Sequence, residues 1–155
     1  EWKINQLYTE IEHIRFDQHF TYHFDNRLKE HLNQYLIPPM MLQPLVENAI
    51  LHGLRYELEE GAHLSVILEE QGNQIAIRVE DNGSGLNHDK SKKLSYKKTS
   101  FGLSSVKDRI EILNQNASHE KASFELLDRR FEGKKGCVAV LLLPKVKADI
   151  QEDGF

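Results

Sequence analysis

Three places in this sequence set polar residues where chemistry could use them. The first is Glu47-Asn48, lodged in an apolar run of Leu45, Val46, Ala49 and Ile50, with His52 following. Residues four apart share a helix face, so Asn48 and His52 would stand one above the other. A carboxamide there offers a neutral oxygen to a hard cation such as Mg²⁺; equally, such an amide caps a helix or bonds locally. The second is Asp81, which ends a strand-like run and opens Asp81-Asn82-Gly83-Ser84-Gly85. A carboxylate at a strand end accepts from an amine such as the exocyclic amine of adenine, and glycines let backbone approach a ligand closely. The same residues also make an ordinary turn. The third is the stretch His88 to Lys98, with Lys90, Lys92, Lys93, Lys97 and Lys98 against the single acid Asp89. A basic loop running into a helix N-terminus near Ser100 suits a triphosphate, although most lysine-rich loops are solvated surface and no single lysine stands out.

The elements that must hold these residues can be read from periodicity. Ile4, Leu7, Ile11 and Ile14 form a narrow helical seam, which either pairs with another helix or docks on the domain's own core. Phe20 to Phe24 alternates as a strand and ends at the turn residues Asp25-Asn26. After Pro38-Pro39, a stripe of Met41, Leu42, Leu45, Val46, Ala49 and Ile50 predicts a helix, regular from about Gln43 and stopped at Gly53. A hairpin follows, His63 to Glu69 with Gln74 to Glu80, turning at Gly72-Asn73. Asn87 to Ser100 lacks apolar periodicity and is read as a mobile loop. Leu103, Val106, Ile110 and Leu113 mark another helix, and Ala122 to Leu127 with Gly136 to Leu143 a second hairpin. The expected fold is a two-layer α/β sandwich, a mixed and mostly antiparallel sheet with helices on one face. Residues 1–19 read as a helical linker, 20–144 as the domain, and 145–155 as a polar, frayed tail.

Composition narrows the function. With 155 residues, 39% hydrophobic and 28% charged, the chain is neither disordered nor membrane-embedded, and no apolar run nears the roughly 20 residues of a membrane helix. A net charge of -4 argues against a nucleic-acid binder. The single cysteine, Cys137, excludes an internal disulfide. The chain opens on Glu1-Trp2 with no signal peptide, and we read it as a piece of something longer.

Taken in order, Pro38-Pro39, then Leu42-Gln43-Pro44-Leu45-Val46-Glu47-Asn48-Ala49 with His52-Gly53, then Asp81 to Leu86, then Phe101-Gly102-Leu103 with Val106 and Arg109-Ile110, closely resemble the ATP-binding domain of LytS-type sensor histidine kinases. These would be its N box, G1 box and a degraded G2 box. The resemblance covers about residues 7 to 144 and implies the Bergerat (GHKL) ATP fold. It implies that Asn48 coordinates Mg²⁺ on the phosphates, that Asp81 accepts from the adenine amine, and that Gly83 and Gly85 shape the pocket and lid hinge. His52, Leu86, Ser100 and Leu103 complete the implied nucleotide set, with Gly102 starting the helix that faces the phosphates. The implied reaction moves the γ-phosphoryl group of ATP to a histidine, a transfer that rests on positioning and charge neutralisation. Glu47 would orient the acceptor histidine or a water.

The departures from the family pattern are Leu51 before the N-box histidine, Ser100 and Ser105 in the G2 box, and Cys137 after Gly136. None of the eight histidines has the context of a phosphoacceptor, so the chain is expected to bind ATP without phosphorylating itself. Two alternatives stand beside this reading. A hydrolytic GHKL ATPase would need a general-base glutamate four residues before Asn48, where this chain has Pro44; a degenerate nucleotide-binding or interaction module would dispense with catalysis. The implied partners are a phosphoacceptor helix of the same or a partner protomer, a response regulator, and a second copy in a homodimeric parent. The implied location is cytoplasmic, with a membrane anchor of the parent outside this chain.

Overall fold

Strict alternation of burial organises the sheet. In the computed structural model, Ala62, Leu64, Val66 and Leu68 of strand β2 (Ala62–Gln71) are buried, while His63, Ser65 and Ile67 between them are only half-buried. Period-two alternation of this kind is what a sheet with one covered face imposes. The structure describes residues 1–28, 34–54, 61–86, 93–115, 117 and 120–147, and for 93–101 the backbone alone.

Five strands lie in the order β1-β2-β3-β5-β4. β1 (Phe20–Asn26) runs parallel to β2, with Phe20 opposite Ala62 and Phe24 opposite Val66. β2 and β3 (Gln74–Asp81) form a hairpin closed by Gly72, whose φ of 61° suits the turn. β5 (Cys137–Pro144) pairs antiparallel with β3 on one side and with β4 (Ser123–Asp128) on the other. The expected mixed, mostly antiparallel sheet is therefore what forms. Only the β1–β2 pair is parallel, because the chain crosses over between them through a helix.

That helix is α2 (Gln43–Asn48), which widens into a π-helical turn over Ala49–Leu54. Met41, Leu45, Val46 and Ile50 are fully buried against Leu64, Val66, Ile75, Ile77, Val79 and Leu141. α3 (Lys93–Gln115) adds Val106 and Ile110 to the same core. Arg109 of α3 donates to the carbonyl of Pro39, and Asn114 pairs with both backbone groups of Ala122 at 2.8 Å, fixing the end of α3 to the start of β4. α3 corrects the expected loop over Asn87 to Ser100. Its helix begins at Lys93, and residues 87–92 lie outside those described. Lysine and leucine favour helix whether or not they pack, so this start carries no apolar period to betray it.

Helix α1 (Trp2–Arg15) lies over β1, with Trp2 edge-on to Phe24 and His13 edge-on to Phe20 and Tyr22. Its apolar seam does not dock on this domain. Ile4, Leu7, Ile11 and Ile14 are between 55% and 64% exposed, while Asn5, Thr9 and Glu12 are buried. Some of the buried polar groups bond within the helix: the Asn5 amide NH₂ donates to the Glu1 carbonyl and Thr9 Oγ1 to the Asn5 carbonyl, while Asn5 Oδ1 and Glu12 Oε2 find no partner among the described residues. The Glu1 carboxylate accepts from the backbone N–H groups of Met41 and Leu42, which precede α2. At the other end, Lys145 is held by Glu70 and by the Asn73 carbonyl, and Leu36 N–H by the Val146 carbonyl. Residues 145–147 of the expected tail are therefore bonded to the domain, and residues 148–155 lie outside those described.

Candidate nucleotide site

Asp81 stands at the end of β3 with its side chain buried. One carboxylate oxygen accepts from Gly83 N–H at 2.9 Å and from Cys137 N–H at 3.4 Å. Burial pushes its carboxyl up to about 6, and those two N–H groups and the Arg129 guanidinium hold it from rising further. The second oxygen is left for a donor from outside the loop.

Three glycines allow the close backbone packing around Asp81. A Cβ on Gly53, in the π-helical turn, would sit 2.6 Å from the Asp81 Cγ. One on Gly83 would meet the Gly53 carbonyl oxygen at 1.9 Å, and one on Gly136 the Asp81 carbonyl oxygen at 2.0 Å. Side chains are thus excluded on steric grounds, and at Gly136 a φ of 95° excludes them again. Asn82 braces the loop from behind, accepting from His63 N–H at 2.6 Å and donating to the Gly61 carbonyl at 2.7 Å. Arg129 donates to the Asp81 carbonyl and pairs with Glu80 at 3.3 Å. Burial and the Asp81 and Asp128 charges push the Cys137 thiol up to about 12, so it stays a neutral packing group.

Asn48 ends the α-helical part of α2, and its Oδ1 is buried with no hydrogen-bond partner among the described residues. A buried carbonyl oxygen left unpaired costs free energy unless something binds it. Its chemistry fits a hard cation. Among the described residues no group of three or more His, Cys, Asp or Glu could hold a metal, so a cation here would share the oxygens of a ligand, as Mg²⁺ does with phosphates. Glu47 turns elsewhere. It accepts from the Gln43 amide at 2.7 Å, and its charge reaches Tyr8 of α1, whose hydroxyl is pushed up to about 12 chiefly by burial and then by Glu12 and Glu47.

The structure brings Asp81, Gly83, Gly53, Gly136 and Cys137 together, and places Gly85 and Leu86 against Asp128. His52 lies half-buried in the π-helical turn between Asn48 and Gly53. Such turns occur often at functional sites. Gly102 is not at a helix start, as expected, but well inside α3, with its Cα packed toward Pro44 of α2. Leu103 packs half-buried on the core. Ser100 and Lys93, Lys97 and Lys98 lie on α3 with side chains outside the description, while Lys90 and Lys92 fall among residues 87–92. The sequence reading missed Gly53 and Asp128 as site residues. An Asp at a strand end with Arg two residues on is the one local signal for Asp128, since its side chain caps the 3₁₀ turn Arg129–Glu132. An apolar cavity of about 590 Å³, lined by Leu36, Ile37, Leu113, Leu143 and Val146 among others, contains none of the candidate residues. It adjoins Asn73, just before the start of β3 and so roughly 27 Å from Asp81 at 3.4 Å per residue.

Residues 38–147 match the family described as histidine kinase-, DNA gyrase B- and HSP90-like ATPase. The chain belongs to that family. The match runs from the prolines before α2 to the end of the described sheet, and so takes in Asn48, Asp81 and Asp128 together. The sensor protein LytS of Staphylococcus haemolyticus is 36% identical over 87 residues, 55% of this chain and 14% of that protein. The sensor histidine kinase YpdA of Escherichia coli K12 is 31% identical over 115 residues, 72% of this chain and 20% of that one. The likeness to LytS-type kinases read from the boxes is thereby borne out. The chain spans less than half the length of the curated relatives it matches. Among solved structures, the catalytic domain of histidine kinase ThkA aligns at a TM-score of 0.59 and 14% identity, covering 93% of this chain and 90% of that one. ThkA in complex with response regulator protein TrrA aligns at 0.56 and 13%, covering 93% and 39%. The fold of a histidine kinase catalytic domain is thus this chain's fold. Its boxes make it an ATP-binding domain of that family.

Proposed function

We propose that this chain is the catalytic domain of a sensor histidine kinase, binding ATP with Mg²⁺ and delivering its γ-phosphoryl group to a histidine on a helix outside the chain. The observation that carries this reading is Asp81, a buried carboxylate with one oxygen held by the N–H groups of Gly83 and Cys137 and with Gly53 packed against it too closely for a side chain. The free oxygen accepts from the adenine amine, and Gly53, Gly83 and Gly136 let the backbone pack closely around Asp81. Asn48 Oδ1 is the group that would hold Mg²⁺, which when bound neutralises phosphate charge. Glu47, tied to Gln43 and with its charge reaching Tyr8 of α1, would in this reading orient the acceptor histidine or a water. Pro44, where a hydrolytic relative would carry its base, has no proton to move.

The partners in this proposal are the acceptor helix, of the same or a partner protomer, a response regulator and a second copy in the parent. Two observations support them: the exposed seam of α1, and the response regulator held by ThkA. No described helix is long and apolar enough to cross a membrane; we place the domain in the cytoplasm, with any anchor of the parent elsewhere. Nucleic acid is not among its ligands, given the charge of -4.

Calorimetric titration of ATP, with and without Mg²⁺, tests the reading on the chain and on Asn48→Ala and Asp81→Ala. We expect Mg²⁺-dependent binding that Asp81→Ala abolishes and whose Mg²⁺ dependence Asn48→Ala removes. No phosphohistidine is expected on the chain alone. Absence of ATP binding by the unsubstituted chain would overturn the proposal.

A further inference from the structure

The last residue of β4, Asp128, caps the turn that follows and also reaches a second loop. Asp128 is buried, yet gathers bonds from two sides. Its Oδ2 accepts from Leu86 N–H at 3.0 Å, across 42 positions of chain. Its Oδ1 accepts from Arg130 N–H at 3.0 Å, and the Arg130 guanidinium spans both oxygens at 2.9 Å. Gly85, at a φ of 78°, lies so close that a Cβ there would be 3.0 Å from Oδ2. The paired guanidinium holds the Asp128 carboxyl well below the usual carboxylate range, so it remains an acceptor throughout the physiological range.

Leu86 is where the loop that begins at Asp81 leaves the pocket floor. Its start is anchored by Asp81 itself, through Gly83 N–H, and its middle by Asn82. Past Gly83, the anchor that the structure shows on this loop's backbone is Asp128. We propose that Asp128 is a positioning residue for nucleotide binding, fixing the Gly85–Leu86 backbone so that the Asp81 loop keeps the shape that receives an adenosine phosphate. The inference rests on the ATP-binding reading above and deepens it. Arg130 has a separate part: it neutralises Asp128, and its hydrogen bonds go to Asp128 and not to Gly85 or Leu86.

That division of labour makes the proposal testable, because Asp128→Ala and Arg130→Ala remove the same ion pair while only the first removes the acceptor for Leu86. Titration of MgATP should give a Kd raised about tenfold in Asp128→Ala, the worth of one buried hydrogen bond, and less than about threefold in Arg130→Ala. Amide hydrogen exchange supplies a readout on the loop itself: Leu86 exchanges faster in Asp128→Ala and at the native rate in Arg130→Ala. Should Asp128→Ala not fold, Asp128→Asn serves: it leaves one acceptor oxygen to be divided between the N–H groups of Leu86 and Arg130, so a raised Kd and faster exchange at Leu86 are expected, and native values of both would overturn the inference. Equal Kd values for the native chain and Asp128→Ala, or equal losses in the Ala variants of Asp128 and Arg130, would overturn the inference. If Asp81→Ala abolishes binding while Asp128→Ala leaves it intact, this inference alone falls. If the native chain binds no ATP, the functional reading falls with it.

Discussion

Asp81 is asked to be buried and to be charged, and those demands oppose each other. With its carboxyl raised from 3.8 to about 6, keeping it ionised at neutral pH costs the empty fold about 3 kcal/mol, at about 1.4 kcal/mol per pH unit. The folded chain holds this proton more tightly than the unfolded one, so the stability it contributes is full below pH 3.8 and is lost as pH rises through about 6. Recognition runs the other way, because an ionised carboxylate accepts on both oxygens and a protonated one must spend an O–H. ATP affinity should therefore hold above about pH 6 and fall below it. Asp81→Asn separates the two effects. Its oxygen can take the Gly83 and Cys137 N–H groups, which turns its NH₂ toward the adenine amine. We expect a Tm above that of the native chain at pH 7.5, a gain that shrinks toward pH 4, and no ATP binding at either pH. Thermal unfolding across that range checks it; a gain independent of pH would assign the titration to another group. Asp81 was legible in the sequence because a polar residue ended a clean alternation. Gly53 and Gly136 entered only through the family boxes, because what forbids a side chain at each is a contact with a distant segment, and local spacing carries no record of that.

At the scale of elements, the helices divide into what periodicity shows and what it hides. The α2 stripe was read nearly to the residue, since its apolar positions meet a sheet whose own apolar positions alternate. The π-helical turn that follows left no mark in the pattern, although it carries Gly53 to Asp81. α3 was read from its packed half only, which put its expected start near Ser100, and the family pattern put Gly102 at that start. The difference has a consequence for stability. A glycine at a helix start is nearly neutral, but one inside a helix costs roughly 0.5–1 kcal/mol relative to alanine. A Cβ on Gly102 would meet Pro44 at 3.6 Å, an ordinary contact. Gly102→Ala is therefore expected to stabilise the chain by about that amount, seen as a higher urea midpoint at unchanged slope. Gly83→Ala, by contrast, would force its Cβ into the Gly53 carbonyl and should unfold the site or the domain. Equal effects of the two substitutions would contradict the placement of Gly102 inside α3.

For the molecule as a whole, α1 is the element whose faces do not match its composition. A helix docked on its own domain buries its apolar stripe; this one buries Asn5, Thr9 and Glu12 and shows Ile4, Leu7, Ile11 and Ile14 to solvent. The spacing revealed that a seam exists but could not say which surface covers it, because a stripe looks the same whether its partner lies in the same chain or another. Within this chain the seam has little to lose. Leu7→Gln with Ile11→Gln should leave the Tm within about 4 °C of the native value, since exposed substitutions stay within about 0.5 kcal/mol each. The same pair of changes removes apolar surface worth roughly 1.5–3 kcal/mol for each side chain that a partner would bury. Sedimentation equilibrium of the chain, or of a longer parent carrying the same two substitutions, is expected to show weaker self-association at unaltered fold. If the seam instead packs on this domain in solution, the double substitution lowers the Tm by many degrees and leaves association untouched. Those opposite signs on two observables are what distinguish a surface kept for a second helix from a core face that has come loose.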